Sequence, residues 1–188
     1  MYYCGLKKHD VANGEGLRTT LFVSGCRNRC PGCFQPQTWA FDYGEPFTDK
    51  VKDEIIVSLD NPSVRGLTLL GGEPMEPENQ ECILPLLREV KHRFPHKTVW
   101  LYTGNLYEEL IGDHPKHLAI TDEILSLVDI LVDGRFEQES HRLGLRFRGS
   151  ENQRIIDLNK TRECGSIVIW DGCSLDKMFA PPPVGSKI

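Results

Sequence analysis

Thr19-Thr20-Leu21-Phe22-Val23-Ser24, followed at once by Gly25-Cys26-Arg27-Asn28-Arg29-Cys30-Pro31-Gly32-Cys33, is the stretch that decides the fold. Its first half is a short apolar, β-branched run closed by glycine, the pattern of a strand buried on both faces of a parallel sheet. Its second half is a Cys-x3-Cys-x2-Cys cluster that begins two residues after that strand. In α/β sheets ligands gather at the carboxyl ends of the strands, so this stretch predicts both an architecture and the place of a site.

Three more runs repeat the first half of the pattern: Leu67–Leu70, Thr98–Tyr102 and Ile130–Val132. Helical stripes lie between them. Val51, Ile55, Ile56 and Leu59 share one face, with Thr48 as N-cap and Asn61-Pro62 as the stop. Ile83, Leu86, Leu87, Val90 and Phe94 form a second stripe, in which Pro85 implies a kink or a late start. Leu106, Leu110 and Ile111, then Ile124, Leu127 and Val128, supply a third helical region around a Gly112–Leu118 loop. Strand–helix alternation of this kind predicts an α/β fold with right-handed crossovers and a mostly parallel sheet. Asn13-Gly14 predicts a tight hairpin turn before the first run, and Ser166–Trp170 one more strand. Pro181–Ile188 reads as a frayed tail. No repeat or linker divides the chain. Residues 1–188 therefore read as one domain, with residues 159–188 a C-terminal extension.

The chain has 188 residues, fewer than the roughly 200 to 400 of complete eight-fold β/α barrels. A formal net charge of −5 argues against a broad grip on nucleic acid, which needs a basic face. No stretch approaches the roughly 18 apolar residues of a membrane helix, and Met1–Lys8 lacks the apolar core of a signal peptide. The expected compartment is the cytoplasm. There, three of seven cysteines packed into eight residues point to metal binding or chemistry ahead of disulfides.

Close thiolates suit zinc or an iron–sulfur cluster. Structural zinc wants a fourth ligand, and the nearest further cysteines are Cys4 and Cys82, the nearest histidine His9. A four-iron cluster on three cysteines instead leaves one iron open to an exogenous ligand. The alternatives are a zinc loop completed from a distance, or packing cysteines. Leu69-Leu70-Gly71-Gly72-Glu73-Pro74 ends the second run. Its glycines allow close backbone approach, and its amides, carbonyls and the Glu73 carboxylate suit a charged ammonium or amino-acid group.

Together these motifs resemble the radical S-adenosylmethionine superfamily. Within it, the chain is similar to the activating proteins of anaerobic ribonucleoside-triphosphate reductases. The stretches that carry the likeness are Asn13–Gly16, Thr20–Cys26, Cys30–Cys33, Thr38-Trp39, Pro46–Thr48, Tyr102–Gly104, Leu131–Phe136 and Arg148–Gln153. The resemblance implies an incomplete (β/α) barrel of the radical S-adenosylmethionine type. It implies that Cys26, Cys30 and Cys33 hold a [4Fe-4S] cluster, whose fourth iron takes the amino and carboxylate groups of S-adenosylmethionine. It implies reductive cleavage to methionine and a 5′-deoxyadenosyl radical, which takes hydrogen from a glycine of the reductase and leaves a glycyl radical. Gly32, Cys33 and Phe34 then border the adenosyl portion, Gly71, Gly72 and Glu73 the methionine end, and Thr103 and Gly104 the ribose or carboxylate. Relatives often carry tyrosine where this chain has Phe34. The implied partners are the reductase and a flavodoxin-like electron donor, with no nucleic acid and no membrane. The rival readings are an activase of another glycyl radical enzyme, such as pyruvate formate-lyase, and a noncatalytic metal-binding module.

Other residues read as ordinary. Cys4, Cys82, Cys164 and Cys173 suit packing, and His114 and His117 sit in a solvated loop. Asp133 ends the fourth run and is expected at the same mouth, without a role. Arg142, Arg146, Arg148 and Arg154 read as a solvated face or as a docking surface for the reductase or an acidic electron donor.

Overall fold

The four apolar runs become neighbouring strands of one sheet in the computed structural model, which describes residues 1–172. In chain order the strands are β1 (Tyr2–Asp10), β2 (Arg18–Val23), β3 (Glu45–Pro46), β4 (Gly66–Gly71), β5 (Thr98–Tyr102), β6 (Ile130–Asp133) and β7 (Arg154–Asp157). The helices are α1 (Asp49–Asp60), α2 (Pro77–Arg93), α3 (Tyr107–Leu110), α4 (Thr121–Leu127) and α5 (Leu158–Cys164). The sheet is open, in the order β3-β1-β2-β4-β5-β6-β7. Its centre, β2-β4-β5-β6, is parallel, as the apolar runs predict, whereas β1, β3 and β7 join antiparallel. The result is an α/β fold with a mixed sheet.

The two faces of the sheet are covered differently. Leu21, Val23, Leu67, Leu69, Val99, Leu101 and Leu131 pack with the apolar stripes of α1, α2 and α4. The alternate residues Trp100, Ile130, Val132 and Ile155 form a second cluster with Tyr102, Phe147 and Trp170. Loops clothe that second face: Gly14 lies against Trp100, and the Thr68 hydroxyl donates to the Asn13 carbonyl at 2.8 Å. Period-2 alternation alone makes this division, because successive side chains leave a strand on opposite sides.

Several expectations change. Asn13-Gly14 lies inside a longer connection spanning residues 11–17, because β1 stops at Asp10 and β2 starts at Arg18, so it is no two-residue hairpin turn. α2 runs from Pro77 to Arg93 through Pro85 without a late start. The carbonyl that Pro85 cannot serve belongs to Glu81, and both residues face solvent, where water replaces the missing donor. Ser166–Trp170 is not a strand; Ile169 makes a single bridge to Ile156. The seventh strand is Arg154–Asp157, whose two isoleucines between charged ends are too short a run to signal one. Cys173 and Pro181–Ile188 lie outside the described residues.

Candidate functional site

Register sets the level of the site. Val23 pairs with Gly71, Leu69 with Leu101 and Leu101 with Leu131, so β2, β4, β5 and β6 end in one row. A cavity of about 410 Å³ opens there, on the loop-covered face. Cys26, Cys30 and Cys33 all line it, as do Phe34, the segment Gly71-Gly72-Glu73, and Thr103-Gly104. Gly32 does not; it turns away from the cavity, against the side chain of Gln138. Among the described residues, no group of three or more His, Cys, Asp or Glu side chains is gathered to hold a metal ion.

The cysteine loop is fixed by backbone contacts on both sides. Gly25 and Cys26 donate to the carbonyls of Thr38 and Trp39 at 2.8 and 3.3 Å, and Cys33 N–H closes a tight turn on the Cys30 carbonyl at 3.2 Å. Burial pushes the Cys26 thiol up to about 11, against a hydrogen bond from the Asn28 backbone that favours the thiolate. Burial also raises Cys30, opposed first by a backbone hydrogen bond from Phe136. Both shifts favour the neutral thiol over the thiolate.

The Gly-Gly-Glu segment differs from expectation in what it offers. Gly72 N–H donates to the Val23 carbonyl at 2.7 Å, and Glu73 N–H to the Gly25 carbonyl at 2.8 Å. These amides are spent inside the protein and are not offered to the cavity. Glycine is required at position 72: a Cβ there would stand 2.7 Å from the Gly25 carbonyl oxygen. Glu73 is fully buried, and its carboxylate ties three loops together. One oxygen accepts from Met75 N–H at 2.9 Å, and the other from Gly104 N–H and from Asn28 Nδ2, each at 2.8 Å. Thr103 is nearly buried and its hydroxyl accepts from Asn105, main chain and side chain.

A second acid escapes the motif reading altogether. Glu76, also fully buried, accepts from Arg27 N–H at 2.8 Å and from the Arg27 guanidinium at 2.7 Å. It also pairs with Lys116 at 3.1 Å, and Lys116 donates to Asn28 Oδ1 at 3.2 Å. Residues 27 and 28 lie between the first two cysteines, so Glu73 and Glu76 together hold the cysteine loop against β4. Lys116 comes from the loop of His114 and His117 that reads as merely solvated. No spacing rule marks it; the one signal is a second glutamate just before the N-terminal proline of α2.

Asp133 does not face the cavity. Its buried carboxylate binds Arg154 through both oxygens and accepts from Tyr107 N–H at 2.9 Å, at the start of α3. Arg154 bridges onward to Glu108. The four arginines of the 142–154 segment thus split: Arg154 is an internal pair, Arg148 lines the cavity, Arg142 meets nearby carbonyls, and Arg146 lies over the Phe147 ring at 4.8 Å. Phe34 is exposed and packs on Phe136 at 4.8 Å and His141 at 5.5 Å, joining the cysteine loop to the loop after β6.

The profile of the 4Fe-4S single cluster domain family matches residues 12–156, a span that holds every residue of this cavity. The anaerobic ribonucleoside-triphosphate reductase-activating protein of Pasteurella multocida is 41% identical over 82% of this chain and 96% of its own length. The chain belongs to this family. Proteins of the same name from Vibrio cholerae and from Enterobacteria phage T4 are 43% and 39% identical. They cover 78% and 82% of this chain, and 91% and 93% of their own lengths. The family's span thus holds the four parallel strands, the cysteine loop and both glutamates, and about a fifth of this chain lies outside each relative's match. Among the described residues, no helix is long and apolar enough to cross a membrane.

Proposed function

We propose that this chain activates an anaerobic ribonucleoside-triphosphate reductase by generating a glycyl radical on it, as a radical S-adenosylmethionine enzyme. The observation that carries the reading is one cavity shared by Cys26, Cys30, Cys33, the Gly71–Glu73 segment and Thr103-Gly104, in a member of the activating-protein family. Three thiols line a volume of about 410 Å³, which leaves room for a cluster, a body wider than a single ion and held by cysteine thiolates. With S-adenosylmethionine, such a cluster supplies one-electron cleavage of a carbon–sulfur bond and abstraction of hydrogen from glycine.

The protein's share is binding, orientation and exclusion of water. Cys26, Cys30 and Cys33 are the cluster ligands in this reading. Glu73 and Glu76 keep their loop against β4. The Gly72 carbonyl region receives the methionine end of S-adenosylmethionine, Gly71 and Gly72 permitting its approach. Thr103 and Gly104 take the ribose or carboxylate, and Phe34, with Gly32 shaping the turn, borders the adenosyl portion.

The sheet belongs, in the same reading, to an incomplete (β/α) barrel formed by a single domain, residues 1–188, with 159–188 as a C-terminal extension. An open edge admits a loop of another protein. A flavodoxin-like donor supplies the electron, in the cytoplasm, and the net charge of −5 supports a partner set without nucleic acid. The similarity does not favour a pyruvate formate-lyase activase or a noncatalytic module.

The test is anaerobic. The chain is reconstituted with iron and sulfide, reduced, and given S-adenosylmethionine and the reductase. The expected products are 5′-deoxyadenosine and a glycyl radical signal on the reductase. A cluster-loaded protein that yields neither, where a relative yields both, overturns the reading.

A further inference from the structure

The wall of the cavity holds two charged side chains, Glu73 and Arg148. Glu73 is consumed internally by Asn28, Gly104 and Met75. Arg148 is half-buried and, among the described residues, gives one hydrogen bond, from Nη1 to the Gln153 carbonyl at 2.8 Å. A guanidinium carries five N–H donors, so most of its fork is left to whatever enters.

The arm that presents Arg148 is braced. Gln153 Oε1 accepts from Gly149 and Ser150 N–H at 2.7 and 3.2 Å, while its Nε2 donates to the Gly134 carbonyl at 2.9 Å. Asn152 Nδ2 donates to the Arg135 carbonyl at 2.8 Å, and a bridge joins His141 to Ser150. The Arg148–Gln153 motif is thus a clasp that closes the loop after β6 on itself. On that arm Arg148 shares the cavity wall with Gly149 and Gln153 of the clasp and with two apolar side chains, Leu145 and Phe147.

We propose that Arg148 holds main-chain carbonyl oxygens of the polypeptide that enters the cavity, with Leu145 and Phe147 packing its apolar side chains. The inference rests on the reading above, that the cavity acts on another protein. A planar fork suits adjacent oxygen acceptors. An extended polypeptide supplies carbonyls and apolar groups along one edge, which is what this wall pairs. The polar groups that suit an amino-acid ligand lie elsewhere, on the loops after β2, β4 and β5.

Arg148→Gln and Arg148→Met are compared with wild type as reconstituted holoenzymes, using the intact reductase. The apparent KM for the reductase in glycyl radical formation is expected to rise about tenfold or more in both, the size of a lost hydrogen bond to a charged group. The Kd for S-adenosylmethionine, from equilibrium dialysis, is expected to stay within about twofold, with an unaltered cluster spectrum. A KM within twofold of wild type in both variants overturns the proposal. So does a parallel loss of S-adenosylmethionine affinity, which assigns Arg148 to the cofactor. If one variant fails to load its cluster, the other decides. A loaded wild type that forms no glycyl radical refutes the underlying reading instead, so the two failures are distinct.

Discussion

The parallel strands end in two opposite ways. At their amino ends one buried residue ties the strands together. Arg18, 1% exposed, donates to the carbonyls of Leu67 and Thr98 at 2.7 and 2.8 Å, to the hydroxyls of Thr68 and Thr98, and to the Glu15 carbonyl. Its guanidinium stacks over Trp100 at 5.5 Å, and burial lowers its pKa to about 10. At the carboxyl ends the strands open onto a cavity whose loops are braced by Glu73 and Glu76, while thiols and Arg148 are left facing space. Both ends bury charge. The carboxyl end keeps thiols and a guanidinium uncommitted, and that is where chemistry can take place.

The sharpest way to break this contrast is at the open end. Cys30→Ala is expected to abolish both cluster loading and 5′-deoxyadenosine formation, with thermal stability of the metal-free chain little changed. Iron content per chain and product yield check it; full activity with two cysteines would remove the ligand assignment. At the amino end the effect is on stability. Arg18→Met strips several carbonyls of their donor and should cost about 3–5 kcal/mol in urea unfolding, the range for disrupting a buried charged network. A loss under about 1 kcal/mol would mean that Arg18 does not tie this end together.

Glu76→Gln is smaller than either. It keeps an acceptor for Arg27 N–H but places an amide against Lys116 and Arg27, at a cost of about 1–3 kcal/mol. Because those contacts hold the cysteine loop, cluster loading should fall at limiting iron. Glu76→Asp should restore less than wild type, since its shorter arm cannot reach both partners. The smallest effect is at the rim. The Arg27 hydrogen bond holds the Glu78 carboxyl down to about 2, below an unfolded value near 4.5. The folded group is the stronger acid, so the pair's contribution is present above about pH 4.5 and fades as pH falls toward 2. Arg27 and Glu78 are half exposed, which caps it at about 1 kcal/mol. Acid titration of Glu78→Gln against wild type measures it as a difference confined to that window.

Legibility in the sequence followed the same division. The central strands could be read because each is an apolar run ended by glycine, and α1 because its stripe and caps agree. Gly71, Gly72, Thr103 and the cysteines could be read because they stand where strands stop. What escaped was decided by tertiary pairing. Asp133 ends a strand as they do, but Arg154 from the antiparallel β7 draws its carboxylate away from the mouth. Glu76 and Lys116 look like surface charges in one dimension and meet only when the loop after α3 folds back over α2. Buried polar networks have no period, so neither spacing nor hydropathy announces them.

One small side chain in that network has a consequence for what evolution or mutagenesis can do there. Asn28 donates from its amide nitrogen to Glu73 at 2.8 Å and accepts at its amide oxygen from Lys116 at 3.2 Å. The carboxamide is therefore a polarised spacer, aligned between an anion and a cation. Aspartate has the same shape but would set a second negative charge against Glu73, and leucine would fill the volume while leaving both charges without a mediator. Shape alone cannot define this position. Its identity is written in the direction of a dipole.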